Sequence, residues 1–191
     1  MKKWHNYRSV ATCGRLCIFD FDDTIAQTDC RVKITYPDGQ TERMSTTDFK
    51  SHVKTSENEY DFTEFEQVIN PREIKQVTSL LLPMAKTQTS ERKVVVLTAR
   101  QKAASPAIKK YLRSLGVDLI NVVELVTLDD SRAQAKADWI ENKIQEGYRD
   151  ILFLDDSRAN IEAAKYLLNK HPQINLDARE INYAEEVPSE G

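Results

Sequence analysis

Short apolar runs alternate with helical periodicities along most of this chain. The runs are rich in β-branched and aromatic residues and are bounded by polar residues, which is typical of strands buried on both faces. Four runs are strong and a fifth is weaker: RLCIFDF (15–21), KVVVLT (93–98), INVVELVTL (120–128), DILFLDD (150–156) and INLDARE (174–180). Their alternation with helical segments predicts an α/β fold, a three-layer sandwich with a mostly parallel central sheet.

Helix start and stop signals separate the predicted strands. Asn70-Pro71-Arg72-Glu73 combines an N-cap, a proline at the first helical position and a capping acid, and Pro83 is expected to end or kink the helix that follows. Ser105-Pro106 repeats the start signal. Apolar stripes at helical spacing then precede glycine or proline in three segments: Ile108, Leu112 and Leu115 before Gly116; Ala137, Ile140 and Ile144 before Gly147; Ile161, Ala164 and Leu168 before Pro172.

One long segment after the first strand interrupts the alternation and is predicted to form a small cap. RVKITYPDGQTERM (31–44) alternates on both sides of Pro37-Asp38-Gly39, which predicts a hairpin, and Ser45 with Asp48 predicts the start of a short helix. TSENEYDFTEFEQ (55–67) is acidic and is interpreted as a loop. The predicted organisation is an α/β core at 1–26 and 71–185, a cap at 27–70 that acts as a lid, and a frayed tail at 186–191.

Composition restricts the partners and the compartment of this chain. Its 191 residues fit one medium domain, and a net charge of −3 with both signs interspersed argues against a broad cationic surface for nucleic acid. No apolar run approaches the ~20 residues needed to cross a membrane, and the N-terminal residues lack the apolar block of a secretory signal. Cys13, Cys17 and Cys30 have no zinc-site spacing, so we expect reduced thiols in a cytoplasmic protein.

Acidic residues cluster where the predicted strands end. Asp20, Asp22 and Asp23 follow the first strand, and Asp155 and Asp156 follow the fourth. Ligands of parallel sheets bind beyond the carboxyl ends of the strands. Carboxylates held this close repel one another and raise one another's pKa. Mg²⁺ offsets this repulsion, because it prefers hard oxygen ligands and also tolerates phosphate oxygens. The pattern therefore predicts a magnesium site that acts on a phosphate.

The polar clusters and the strands before them resemble the four motifs of the haloacid dehalogenase-like (HAD) phosphohydrolases, in that family's order. IFDFDDT (18–24) is similar to the first motif, VVVLTAR (94–100) to the second, Lys136 to the third and ILFLDDSRAN (151–160) to the fourth. The cap and the string NPREIK also resemble small HAD-like proteins carried by tailed phages. The resemblance implies a Rossmann-like core with a cap inserted after the first strand.

The resemblance also implies catalytic roles. Asp20 is expected to be the nucleophile, which takes the phosphoryl group as an aspartyl-phosphate. Asp22 is expected to protonate the leaving oxygen and then to deprotonate the attacking water. Thr98 and Lys136 are expected to hold the phosphoryl oxygens. A covalent step divides one difficult displacement into two easier ones, and a positioned acid/base typically contributes ~10²–10⁴-fold.

Metal and substrate contacts follow from the same resemblance. Asn160 stands where many members carry a second fourth-motif acid, so it is expected to orient Asp156 or a metal-bound water, while Asp155 supplies the missing charge. Thr24 and Arg100 are expected to contact the substrate, with a surface position as the alternative for Arg100. The expected metal ligands are Asp20, Asp22 (through its backbone carbonyl), Asp156 and Asp155.

Two local features leave alternatives open. Asp23 occupies a position that is glycine in many HAD members, so it is expected to face away or to hydrogen-bond locally. The string LDDSRAQ (128–134) nearly duplicates LDDSRAN (154–160), and helix capping is the favoured interpretation of Asp129-Asp130. Lys143 is the alternative to Lys136 as the lysine of the third motif.

The function predicted from these residues is a Mg²⁺-dependent phosphomonoesterase. Its expected substrate is a nucleotide or a small phosphorylated metabolite, with no membrane partner. One alternative is a phosphatase acting on a 3′ end of a nucleic acid. Another is a non-catalytic HAD-like module that binds a phosphorylated ligand. Dehalogenases of this fold lack the second aspartate, and receiver domains carry their acid pair and acceptor in a different order.

Overall fold

The described part of the chain comprises residues 14–87, 92–117 and 123–182 of a computed structural model. Its strands, in chain order, are β1 Arg15–Phe19, β2 Ala26–Gln27, β3 Val32–Thr35, β4 Thr41–Met44, β5 Glu59–Asp61, β6 Arg72–Glu73, β7 Arg92–Thr98, β8 Val123–Thr127, β9 Asp150–Asp155 and β10 Asn175–Glu180. Its α-helices are α1 Thr46–Ser51, α2 Lys75–Lys86, α3 Ser105–Ser114, α4 Ala133–Gln145 and α5 Arg158–Lys170.

A five-stranded parallel sheet forms the centre of the fold, in the strand order β10-β9-β1-β7-β8. β1 lies between β9, which carries the fourth motif, and β7, which carries the second. β8, which precedes the duplicate string LDDSRAQ, lies beyond β7. The predicted α/β fold with a mostly parallel sheet and covering helices is therefore confirmed.

Each strand of the sheet centre contributes to two hydrophobic cores because successive side chains point to opposite faces. In β1, Cys17 and Phe19 belong to the core that α2 and α3 cover, whereas Leu16 and Ile18 belong to the core that α4 and α5 cover. This two-sided burial explains why the strands appear in the sequence as continuous apolar runs.

The start of α2 differs from the prediction. Residues Arg72–Glu73 form β6, which pairs antiparallel with Ala26–Gln27, and the backbone of Asn70 has a positive φ of 44°. The helix begins only at Lys75. The preceding residue, Ile74, donates its N–H to the carbonyl oxygen of Ile25 at 3.0 Å. Strand pairing thus overrides the local capping signal. The helix also continues past Pro83 to its end at Lys86.

The other helices follow their predicted stripes with one change. Gly116 and Gly147 follow α3 and α4 with φ of 87° and 115°, as their predicted C-terminal positions require. In α5, Leu167 is buried where Leu168 was the predicted core residue, and Leu168 is 36% exposed. In the last turn of α5, the buried position therefore lies one residue earlier in the chain than predicted.

Residues 27–70, the segment predicted to be a cap and called the cap below, contain the predicted hairpin of β3 and β4 and the predicted helix α1. Ser45 Oγ accepts from the N–H of Asp48 at 3.2 Å and donates to its carboxylate at 2.7 Å. The acidic segment 55–67 is not a plain loop as predicted, because β5 pairs with β3 and a 3₁₀ turn spans Thr63–Glu66. The resulting sheet has the order β4-β3-β5.

Within the described ranges, no helix is both long enough and apolar enough to cross a membrane. Cys17 and Cys30 are buried free thiols. The predictions for the N-terminal segment, Cys13 and the tail 186–191 fall outside the described residues, as do the first three residues of the predicted strand 120–128.

Candidate active site

The ends of three neighbouring strands bring the first, second and fourth motifs together. Asp20 directly follows β1, and its N–H donates to the carbonyl oxygen of Leu154 at 2.9 Å. Asp155 is the last residue of β9, and Thr98 is the last residue of β7. Because these strands are adjacent and parallel, their ends meet at one edge of the sheet, here called the carboxyl edge. All three side chains are buried there.

Lys136 connects the first and fourth motifs through two buried ion pairs. It lies in the first turn of α4, and its Nζ is 2.5 Å from Asp20 Oδ1 and 2.7 Å from Asp155 Oδ2. Only 3% of Lys136 is exposed. Lys143, the rival in sequence, instead pairs with the exposed Glu146 at 2.8 Å. The fold thus brings Lys136 to the carboxyl edge.

Burial and neighbouring charges together shift the pKa of both partners. Burial raises the pKa of Asp20 well above its usual value; Lys136 opposes this shift, and the nearby carboxylates of Asp155, Asp156 and Asp22 add to it. Burial acts to lower the pKa of Lys136, but the two carboxylates that contact its ammonium group outweigh burial and raise it. The site therefore holds a charged lysine among carboxylates that repel one another.

Thr24 links the first motif to the fourth. Its Oγ1 donates to Asp20 Oδ2 at 3.1 Å and accepts from the backbone N–H of Asp156 at 3.0 Å. Thr24 is fully buried. The predicted role of this residue is a substrate contact, whereas its hydroxyl here contacts two other residues of the site. Together with Lys136, it fixes both oxygens of the Asp20 carboxylate.

Asn160 orients Asp155. Its Nδ2 donates to the two carboxylate oxygens of Asp155 at 2.9 and 3.0 Å, and the N–H of Ser157 donates to Oδ1 at 2.8 Å. The prediction that Asn160 orients Asp156 or a metal-bound water therefore differs from the geometry found. Asp155 has its carboxylate fixed by Lys136, Asn160 and a backbone N–H.

Three carboxylates at the carboxyl edge lie close enough to hold a metal ion. Asp20, Asp155 and Asp156 each offer one oxygen, and these oxygens all lie within 4.8 Å of one another. Carboxylate oxygens are the ligands that Mg²⁺ prefers, so the donor set fits this ion. The carboxylate of Asp22 is directed to Arg100 instead, and its expected contribution was the backbone carbonyl.

Asp22 forms a two-point ion pair with Arg100. Arg100 Nε lies 2.9 Å from Asp22 Oδ2, and Nη2 lies 2.6 Å from Oδ1. The Arg100 side chain is only 2% exposed, so it is not a surface arginine. Burial acts to lower the pKa of Arg100, but the Asp22 carboxylate outweighs it and raises the pKa. The guanidinium therefore stays charged inside the protein.

The same guanidinium contacts the cap. Nη1 donates to the carbonyl oxygen of Phe65 at 2.8 Å and to that of Gln67, and Nη2 lies 3.3 Å from Thr28 Oγ1 and 3.8 Å from Cys30 Sγ. These contacts were not predicted from the sequence. Backbone carbonyl groups leave no signal in a side-chain pattern, and the two that bind Arg100 are 35 and 33 residues away along the chain.

Asp23 has the backbone conformation of a glycine. Its φ of 56° lies in the left-handed region, which glycine adopts freely and aspartate tolerates better than most residues. Aspartate can therefore occupy a backbone position that glycine favours. Asp23 was expected to face away or to hydrogen-bond locally, and its Oδ2 accepts from Thr46 Oγ1 of α1 in the cap at 2.9 Å.

The duplicate acid pair does not act as predicted either. Asp129 has a φ of 54°, and Asp130 accepts from the N–H of Arg132 at 2.9 Å and pairs with its side chain. α4 begins later, with Arg132 at the N-cap position and no side-chain cap. The favoured interpretation of Asp129-Asp130 as helix caps is therefore wrong. These residues form a separate turn after β8.

Comparison with known proteins gives one structural likeness. A chain from the structure of the Pnkp1/Rnl/Hen1 RNA repair complex is similar to this chain, with a TM-score of 0.54 and 17% sequence identity over 92% of this chain. This chain spans 44% of the length of that chain. At this identity the likeness shows a shared fold. No family model and no curated protein sequence matches.

Proposed function

We propose that this chain is a Mg²⁺-dependent HAD-like phosphomonoesterase. The observation that carries the proposal is the buried arrangement of Asp20, Lys136 and Asp155, with Asp156 beside it. One carboxylate at the end of the central strand is held by a lysine and a threonine hydroxyl, and two more acids lie within reach of the same cation. This arrangement suits phosphoryl transfer, which depends chiefly on positioning and electrostatics.

The proposed chemistry has two displacements. A carboxylate oxygen of Asp20 attacks phosphorus, the bond from phosphorus to the ester oxygen breaks, and Asp22 donates a proton to the departing alcohol. Water then attacks the aspartyl-phosphate and gives a proton to Asp22, which releases inorganic phosphate and restores Asp20. Thr98 and Lys136 donate hydrogen bonds to phosphoryl oxygens.

Asp20, Asp155 and Asp156 would hold the Mg²⁺, together with the backbone carbonyl of Asp22. When bound, the ion would offset the repulsion between the carboxylates and the incoming phosphate. Asp20 and Asp155 share the single ammonium group of Lys136, and the carboxylate of Asp156 lies within reach of the same cation position. A divalent cation would therefore compensate the excess negative charge.

Replacing one proposed metal ligand should weaken Mg²⁺ binding without unfolding the protein. We expect Asp156→Asn to weaken the affinity for Mg²⁺ by at least about tenfold, because a neutral amide replaces a carboxylate. Titration calorimetry measures this directly. Asp130→Asn, at the equivalent position of the duplicate string, is the matched control and should bind Mg²⁺ as the wild type does. Equal affinities in both variants would exclude Asp156 as a ligand.

The substrate we propose is a nucleotide or a small phosphorylated metabolite. A 3′-phosphate at a nucleic-acid end is the second candidate, and one observation favours it: the similar chain comes from an RNA repair complex. The acidic net charge of −3 favours the small substrate, because long nucleic acids bind cationic surfaces. The two candidates differ in the size of the group attached to the same phosphate.

A panel of phosphomonoesters tests the function and separates the candidates. It contains sugar phosphates, nucleoside 5′- and 3′-monophosphates, and 3′-phosphorylated oligonucleotides, with 5′-phosphorylated oligonucleotides of the same sequence as controls. We expect phosphate release from at least one class, lost on chelation with EDTA and restored by Mg²⁺. No release from any class, or release that EDTA leaves unchanged, would refute a Mg²⁺-dependent phosphatase. Tight binding of a phosphorylated compound without release would support the non-catalytic module.

A further inference from the structure

Arg100 has its hydrogen-bonding capacity filled by the protein itself. Arginine has five N–H donors. Nε and one Nη2 hydrogen face Asp22, both Nη1 hydrogens face the carbonyl groups of Phe65 and Gln67, and the second Nη2 hydrogen faces Thr28 and Cys30. A substrate phosphate would have to displace one of these contacts, so the geometry does not favour direct binding by Arg100.

Aromatic rings also fix the plane of this guanidinium. Arg100 Cζ lies 5.3 Å from the ring centroid of Phe21 and 5.1 Å from that of Phe65. Phe21 lies between Asp20 and Asp22 in the first motif, whereas Phe65 belongs to the cap. Cation–π contacts of this kind strengthen where water is excluded. The side chain is therefore held by the first motif and by the cap together.

The part of the cap that Arg100 contacts borders an open surface pocket. Glu66, Gln67 and Val68 line this pocket of about 550 Å³, which α3 borders with Pro106 and Tyr111. This segment is therefore open to solvent on that side. The hydrogen bonds from Arg100 supply fixed polar contacts that hold it.

We propose that Arg100 is a positioning residue that fixes the Asp22 carboxylate and ties its orientation to cap residues 65–67. The catalytic part of this inference rests on the proposed phosphatase function. The planar fork of arginine can contact both oxygens of Asp22 while it reaches two carbonyl groups, which a lysine ammonium cannot reproduce. A displacement of about 1 Å in a catalytic group can cost ~10²-fold in rate.

The proposal predicts a dependence on the leaving group. An alcohol such as the sugar hydroxyl of a nucleotide leaves slowly unless it receives a proton, so its hydrolysis depends on the position of Asp22. p-Nitrophenolate is a far better leaving group and needs little protonation. A misplaced Asp22 should therefore slow nucleotide hydrolysis and spare p-nitrophenyl phosphate.

Arg100→Lys tests this dependence, because it keeps the charge and removes the fork. We expect kcat/KM for a nucleoside monophosphate to fall about 10²-fold through kcat, with a change of no more than about threefold for p-nitrophenyl phosphate. The exposed Arg113→Lys is the matched control and should resemble the wild type on both substrates. Equal losses on the two substrates, no loss, or a loss confined to KM would overturn the positioning role.

Amide hydrogen exchange tests the link to the cap without any turnover. Both Arg100→Lys and Asp22→Asn should speed exchange across residues 63–68 by about tenfold, whereas Arg113→Lys should not. Unchanged exchange in either variant would overturn the tie between Asp22 and the cap. If the wild type hydrolyses no phosphomonoester, the proposed function fails, and the exchange result still decides whether Arg100 fixes these two elements together.

Discussion

Asp20→Asn should abolish phosphomonoester hydrolysis and leave the protein folded. The amide has nearly the same shape as the carboxylate, but it cannot form an acyl phosphate, so we expect a loss of at least about 10⁴-fold in kcat. Acid quenching of the wild type during turnover of a ³²P-labelled substrate should trap a hydroxylamine-sensitive phosphoprotein. The variant should give none.

The stability of Asp20→Asn should equal or exceed that of the wild type at neutral pH. Burial raises the pKa of Asp20, which means that the folded protein disfavours the charged form of this side chain. A neutral isostere removes that cost, as is common for residues retained for activity. Thermal unfolding measures the effect.

Asp23→Asn is the control for the nucleophile. Asp23 is the neighbouring buried acid whose carboxylate accepts from Thr46 in the cap, and asparagine can accept the same hydrogen bond and tolerates the positive φ. We expect it to retain wild-type turnover. Turnover by Asp20→Asn at the wild-type rate would exclude Asp20 as the nucleophile.

Lys136→Met should destabilise the fold by about 3–5 kcal/mol, the usual cost of removing one partner from a buried ion pair. The substitution leaves Asp20 and Asp155 side by side in a buried site, without the ammonium group that now lies 2.5 and 2.7 Å from them. Methionine matches the length of the lysine stem, so the loss of charge dominates. Urea unfolding with an unchanged m-value measures the difference in the free energy of unfolding.

Lys143→Met on the same helix is the matched control for stability. Lys143 pairs with a partner on the surface, Glu146, and stacks on Trp139, so its loss should cost about 1 kcal/mol at most. Comparable losses at both lysines would mean that the buried pairs of Lys136 add nothing beyond helix packing. Lys136→Met should also lower phosphatase activity, whereas Lys143→Met should not.

Local patterns were sufficient to predict the parallel sheet and the convergence at its carboxyl edge. The apolar runs at β1, β7 and β9 could be buried only on two faces, and parallel strands end at the same edge. Asp20 and Asp155 therefore had to lie near one another once their strands were adjacent. The resemblance in sequence added Lys136, and its place in the first turn of the predicted helix, near the carboxyl edge, favoured it over Lys143.

Local signals failed where a distant segment competes for the same backbone. Residues 70–73 have the composition of a helix start. However, Arg72–Glu73 pair with Ala26–Gln27, and the helix begins only at Lys75. Capping preferences are worth about 1 kcal/mol, so tertiary pairing can override them. The prediction that Asp129 and Asp130 cap a helix is also wrong. Asp129 has a left-handed backbone, and α4 begins only at Ala133.

The sequence by itself determined the alternating architecture and the acidic character of the carboxyl edge, because these depend on periodicity and on strand ends. Only the tertiary structure decided what the residues at that edge contact: Thr24 joins Asp20 to the backbone of Asp156, Asn160 holds Asp155, and Arg100 is buried between Asp22 and the cap. Whether a hydrogen bond forms depends on differences of a few tenths of an ångström in the distance between donor and acceptor, and a sequence pattern carries no such distances.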